Sequence, residues 1–269
     1  MATTPADGPA ENTGPWRESR GMPAVRAATW ADLRAALAAG WADFLAAPLM
    51  GMTVGLLYAA GGWLLLWVLE LKEYRGLSFP VVTGFALIGP FVAVILYEIS
   101  RRREQGERLG WGELPAMIGR TARKQILYQG FVLMFWLAVW SRVGVMLFAI
   151  HFSASVDRFW DVADQIFTTS HGLTFLVVGH LFGAFFAGVA YCLSVIAFPF
   201  LLDRDSDFFT AMVLSFRAVI ASPAVMLGWA AFLGAALAAA CAPAFLGLVV
   251  VLPLLGHASW HLYRRLVAP

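Results

Sequence analysis

Six long apolar stretches dominate this sequence: 52–69, 79–97, 126–150, 173–201, 225–242 and 245–263. A helix needs about 20 apolar residues to cross about 30 Å of hydrocarbon. The first stretch is short, but Leu45–Leu49 can extend it. The last two are separated by little more than Pro243, which reads as a tight hairpin, or as one long buried segment. In 269 residues, 60% are hydrophobic and 13% charged, against about 45–50% and about 25% in soluble domains. This excludes a soluble enzyme, a disordered protein and a nucleic-acid binder with a basic face. The expectation is an all-α membrane protein, a polytopic bundle of six transmembrane helices.

Prolines punctuate the spans in a pattern. Pro90, Pro199 and Pro253 fall in or at the end of the even-numbered spans, while Pro48 and Pro223 precede odd-numbered ones. Ahead of the first span, Trp30–Ala47 places Leu33, Leu37, Trp41, Phe44 and Leu45 at helical spacing. Ahead of the fifth, Asp207–Ala221 does the same with Phe208, Met212, Phe216 and Val219. Gly112–Lys124 is a shorter version ahead of the third. These read as interfacial amphipathic helices, and the pattern suggests three helix-hairpin repeats. Residues 1–25 hold four prolines and no apolar run of signal-peptide length, so they read as a disordered cytoplasmic tail before a domain spanning 26–269.

Charge placement orients the chain. With both termini and the second and fourth loops on one side, fifteen of the nineteen basic residues lie there and three lie opposite. The positive-inside rule then places the N- and C-termini in the cytoplasm, as expected in a bacterial inner (plasma) membrane. The loop carrying Asp157, Asp161 and Asp164 would face out.

Few residues invite chemistry. Arg142 lies inside the third span, where a charge costs at least about 2.5–3.5 kcal/mol and normally faces protein or water. It can anchor structurally, snorkel outward, or share a polar site with His180, which lies at similar depth beside Gly179 and Gly183. Gly51 and Gly55 form a second small-residue pair suited to helix contact. His257 and His261, spaced i, i+4, could share a metal ion or serve as an interfacial anchor with Trp260 and Tyr263. Ala258 stands where H-E-x-x-H needs glutamate. His151 and His171 flank the outer loop, where copper binding stays open. At the inner face, Glu98, Arg101, Arg102 and Arg103 form one charge cluster; Asp203, Arg204, Asp205 and Asp207 form another. Pairing between them would tie two repeats together. Cys192 and Cys241 sit in apolar runs and read as small buried hydrophobes.

Four motifs, Gly84-Phe-Ala-Leu-Ile-Gly-Pro90, Tyr97-Glu-Ile-Ser-Arg-Arg102, Phe198-Pro-Phe-Leu-Leu-Asp-Arg-Asp205 and Pro253-Leu-Leu-Gly-His-Ala-Ser-Trp-His-Leu-Tyr-Arg264, resemble a prokaryotic integral-membrane family, domain-of-unknown-function family 2189. The resemblance runs from Ala28 to Leu266 and departs where Ser222-Pro223 replaces Asn-Pro. Some members of that family are labelled as cytochrome c oxidase subunits. A catalytic version of that label needs more ligands than five histidines and two unpaired cysteines supply. The residues therefore point to a non-enzymatic protein without cofactor. Its partners would be the lipid bilayer and either subunits of a membrane complex, such as a respiratory oxidase, or further copies of itself. A small oligomeric transporter or channel is the alternative.

Overall fold

The structure, a computed structural model, describes residues 17–19, 22–71, 78–107, 110–111, 120–152 and 165–268. The Asp157, Asp161 and Asp164 loop lies outside them, as does most of Gly112–Lys124. The described chain is helical apart from a short hairpin. Two antiparallel strands, β1 (Arg17–Ser19) and β2 (Met22–Val25), lead into α1 (Trp30–Ala46) and α2 (Pro48–Leu71). Then come α3 (Ser78–Glu104), α4 (Arg120–His151), α5 (Ser170–Ser194), α6 (Ala197–Asp203), α7 (Phe208–Ala221), α8 (Pro223–Cys241) and α9 (Leu248–Leu266).

The two proline corners are built alike. A proline disfavours helical geometry in the residue before it, and it suits the first turn of the helix it begins. Accordingly α1 stops at Ala47 (φ −136°, ψ 52°) and α7 at Ser222 (φ −154°, ψ 66°), and a new helix starts at each proline. Both entering helices are also capped by side chains. Thr29 and Asp32 form a capping box on α1, and the Asp207 carboxylate accepts from the Thr210 amide on α7.

Among the described residues, four helical segments are long and apolar enough to cross a membrane: Pro48–Val68, Ala122–His151, Ser170–Asp203 and Pro223–Cys241. Helices α3 and α9 were also expected to span. Helix α9 is less apolar than these four, since it carries His257, Ser259, His261, Arg264 and Arg265, and the apolar half of α3 falls largely on residues 78–88, most of whose side chains lie outside those described. Instead α9 is the packing centre. It lies against α1, α2 and α3, and His257, Trp260 and Leu262 are fully buried. Backbone proximity makes this possible. A Cβ on Gly40 of α1 would lie 2.5 Å from the Ala258 amide nitrogen, and one on Gly55 of α2 would lie 2.7 Å from the Leu248 carbonyl oxygen. The Gly51/Gly55 pair is thus a helix contact, as its spacing suggested.

The segment leading into α1 meets the segment that follows α9. Val25 bridges Val267, Arg26 donates its amide to Leu266 O at 3.0 Å, and Ala268 donates to Ala24 O at 3.0 Å. Met22–Val25, at the end of the stretch expected to be a tail, takes part in this pairing. The single apolar face expected of α1 also needs correction. Leu33, Ala36, Gly40 and Phe44 are buried together with Asp32 and Asp43, whereas Trp30, Trp41 and Leu45 are exposed. Helix α1 turns Asp32 and Asp43 inward beside Leu33 and Phe44 and offers Trp30, Trp41 and Leu45 outward beside Arg34, as suits an environment of lipid headgroup and hydrocarbon.

Candidate functional site

The residues expected at the inner face converge where α1, α3, α6 and α9 end together. Helical spacing builds the first unit: Glu98, 1% exposed, accepts from Arg101 Nε at 2.7 Å and Arg102 Nε at 2.9 Å. These are the i+3 and i+4 neighbours that share its face. The third arginine leaves the helix. Arg103 donates to the Asp43 carbonyl at 2.9 Å, capping the C-terminal end of α1, and lies 3.6 Å from the Asp43 carboxylate. A cation is favourable there because the last carbonyls of a helix are unsatisfied and carry its negative dipole end.

Asp43 organises the second unit. It receives His261 Nε2 at 2.7 Å and a hydrogen bond from Ser100, and Ser100 Oγ lies 2.8 Å from His257 Nδ1. Burial alone would raise the Asp43 carboxyl. The bonds from His261 and Ser100 and the charge of Arg103 overcome that and hold it below its ordinary value. Serine, histidine and aspartate meet here, but not as a hydrolytic triad. The order is carboxylate, hydroxyl, imidazole, whereas a triad needs the imidazole in the middle. Ser100 is also 1% exposed.

A third unit ties α6 to α9. Asp203 accepts from Tyr263 Oη at 2.7 Å and Arg264 at 3.3 Å, with Arg204 at 3.9 Å. Glu104 of α3 receives Arg264 at 3.1 Å and Trp260 Nε1 at 3.3 Å. At the start of α1, Asp32 receives Arg26 at 2.5 and 2.8 Å, with Arg265 at 3.8 Å. The Arg26 hydrogen bonds outweigh burial and hold Asp32 well below the usual carboxylate range. Arg204 also donates to the Ala268 carbonyl.

Several expectations change. Asp203, expected to pair with Arg101–Arg103, is hydrogen-bonded by Tyr263 and Arg264 of α9 and reaches Arg101 only through its charge, while Arg103 goes to α1. Asp205 is exposed and joins none of these pairs among the described residues. His257 and His261 do not share a ligand, since one turns to Ser100 and the other to Asp43. No group of three or more metal-ligating side chains occurs among the described residues. Buried His257 Nε2 has no hydrogen-bond partner there.

Arg142 and His180 are not brought together. Both are exposed, and His180 Nδ1 donates to its own helix at Leu176 O, 2.7 Å. Helix α4 meets α5 through Trp136, Trp140 and Phe148, whose rings lie against Phe186 and Phe175. At about 100° per residue, Arg142 points to the opposite side of α4. Gly179 has open space where a Cβ would go, and Gly183 only a loose contact with Trp140 at 3.7 Å. Their G-x-x-x-G spacing is therefore not used for close packing among the described residues. His151 Nδ1 likewise donates to Leu147 O at 2.8 Å, and His171 is exposed. A surface groove of about 590 Å³ at the α1–α2 corner is lined by Ala46–Met50, Arg103, Glu107 and Trp111, away from Arg142 and His180.

The sequence reading missed Asp32, Asp43, Ser100 and Glu104. Thr29-x-x-Asp32 carried a usable signal, a capping spacing ahead of an apolar run. Asp43 carried a weaker one, an acid on an interfacial helix with basic helix ends elsewhere. The pairings themselves depend on α9 threading between α1 and α3, which local spacing does not encode.

No curated protein and no solved structure matches the chain. Residues 78–203 match a family model described as predicted integral membrane protein (DUF2189). That stretch takes in α3, α4, α5 and α6 with Glu98, Arg101–Arg103 and Asp203, and stops short of α9. Over residues 78–203, somewhat under half of its length, the chain is similar to the DUF2189 family of predicted integral membrane proteins.

Proposed function

We propose that this protein is a non-catalytic accessory or assembly subunit of a larger complex in the bacterial inner membrane, a respiratory oxidase being one candidate. In this reading α3 and α9 cross the bilayer with the four apolar segments, giving six spans in helix-hairpin repeats with both termini in the cytoplasm. One observation carries it. The charged side chains at the inner end neutralise one another between helices, so they act as a clamp that fixes the bundle rather than as groups held ready for a substrate. Mild-detergent purification from the native membrane, with mass spectrometry and an absorption spectrum, tests the reading. The expected result is a fixed set of co-purifying subunits and no Soret band. A pure homo-oligomer would overturn it. Alkaline phosphatase fused after Pro269 is expected to be inactive; periplasmic activity would overturn the orientation.

A transporter reading has one observation in its favour. The span Ser170–Asp203 is interrupted at Val195–Ile196, where Gln129 Nε2 donates to Leu193 O at 3.0 Å and Ile196 N donates to Ser215 Oγ at 3.1 Å. Gln129 Oε1 is buried without a partner among the described residues. Discontinuous spans with freed backbone groups mark transporter sites. In this reading the polar site moves from Arg142 and His180 to Gln129. Uptake by reconstituted vesicles that is lost in Gln129→Leu would favour it.

A further inference from the structure

The α4 span is the least buried of the four: 11% of its apolar window is buried, against 44% for the span formed by α5 and α6. Its outer face has an order. Phe131, Phe135, Ala138, Arg142, Val145 and Ala149 are all exposed, and their separations alternate four and three. That is the spacing of a helix seam that receives a second helix at a crossing angle of about 20°. Arg142 sits within this seam, flanked by Ala138 and Val145. It has no hydrogen-bond or ion-pair partner among the described residues, and it lies about 13 Å along the axis from His151, by a rise of about 1.5 Å per residue.

An arginine within an apolar span normally faces protein and pairs. Among the described residues the rest of the bundle lies elsewhere and offers Arg142 no partner, which leaves the face open to one from another chain. Packing two copies through this seam about a parallel two-fold axis would set Arg142 against Arg142, a like-charge contact in a medium of low polarity. Charge complementarity selects a different occupant.

We propose that the exposed seam of α4 docks a transmembrane helix of another protein, one carrying an aspartate or glutamate at the depth of Arg142. The docked helix packs against Ala138 and Val145, and its carboxylate pairs with the guanidinium. This rests on the accessory-subunit reading and supplies the surface that reading requires.

The test uses the full chain in phosphatidylcholine vesicles and, as probe, a polyleucine spanning peptide bearing a single Asp at matching depth, followed by energy transfer. The Asp peptide is expected to associate at least about tenfold more tightly than its Asn or Leu versions. Arg142→Gln should abolish that preference, and Arg142→Glu should transfer it to a Lys-bearing peptide. Equal association of the Asp and Leu peptides would overturn the proposal, as an arginine that only reaches lipid phosphate predicts. High-yield disulfide-linked homodimers of Val145→Cys in the native membrane would also overturn it. Two outcomes separate the face from the reading it rests on. Subunits that co-purify equally with Arg142→Gln protein would remove the face and leave the accessory role. The expected peptide preference with no co-purifying subunit would keep the face and remove the role.

Discussion

Helices α4 and α9 are buried in the opposite sense to their hydrophobicity. Helix α4 contributes one of the apolar spans, yet Phe131, Met134, Phe135, Val145, Met146 and Ile150 are each more than half exposed. Helix α9 carries two histidines, a serine and two arginines, yet its His257, Ala258, Trp260 and Leu262 have no exposed surface. In water this would be inside out. Lipid tails are as apolar as leucine, so hydrophobicity does not drive helices together within a bilayer; close backbone approach and polar pairing do. The clamp around α9 has both, through Gly40, Gly55 and Asp43. The α4–α5 hairpin is held by an aromatic zipper, with Trp136 Nε1 donating to Phe186 O at 2.9 Å.

The largest effect that would break this contrast is expected at Asp43. Asp43→Ala strands His261, Ser100 and Arg103 with no carboxylate in a buried setting, and removing one member of a buried pair costs about 3–5 kcal/mol. Thermal unfolding in detergent should show the loss. A shift no larger than that of an exposed lipid-facing substitution would mean that α9 is held by apolar packing alone. Gly40→Ala comes next. The added methyl meets the Ala258 backbone, which cannot rotate away, so about 1–3 kcal/mol of overpacking strain is expected.

Acid should separate the two regions in a third way. Asp32 is held below the usual carboxylate range. Its contribution is therefore full above its unfolded value near 4 and is lost as pH falls below that. Stability of the wild type should decline below about pH 4, while Asp32→Asn begins about 1–2 kcal/mol lower and declines less steeply. Parallel pH profiles for the two proteins would remove Arg26–Asp32 from the clamp. Energy transfer across the α4–α5 hairpin should be insensitive to this substitution.

The same contrast decides what could be read before folding. Apolar length exposed the spans of α2, α4, α5–α6 and α8, and prolines exposed both corners, because span length and proline geometry are local. Helices α3 and α9 were legible as helices; what they bury was not, since Ser100, His257 and Asp43 are distant in sequence and meet through packing. Glu98 with Arg101 and Arg102 was legible because i+3 and i+4 neighbours share a helical face. Arg142 and His180 share a depth, which counting residues reveals. They do not share a direction, which depends on how α4 rotates to seat Trp136 and Trp140 against Phe186.

The smallest effect sharpens the contrast most, because it repeats one chemical change in both regions. Gly179 has nothing within 4 Å of an added Cβ, so Gly179→Ala meets no neighbour. Alanine also removes the conformational freedom that makes glycine a poor helix former, a gain of up to about 1 kcal/mol in a helix interior. Gly40→Ala has the same intrinsic gain and should still be destabilising, because the Ala258 backbone opposes it. Opposite signs for the two substitutions in one unfolding assay would mean that backbone proximity, and not glycine content, distinguishes the clamp from the hairpin. If Gly179→Ala were instead destabilising by more than about 0.5 kcal/mol, beyond the range of a surface change, the hairpin would have to be packed against a further helix in the sample, and association would have to be measured before the two regions could be compared.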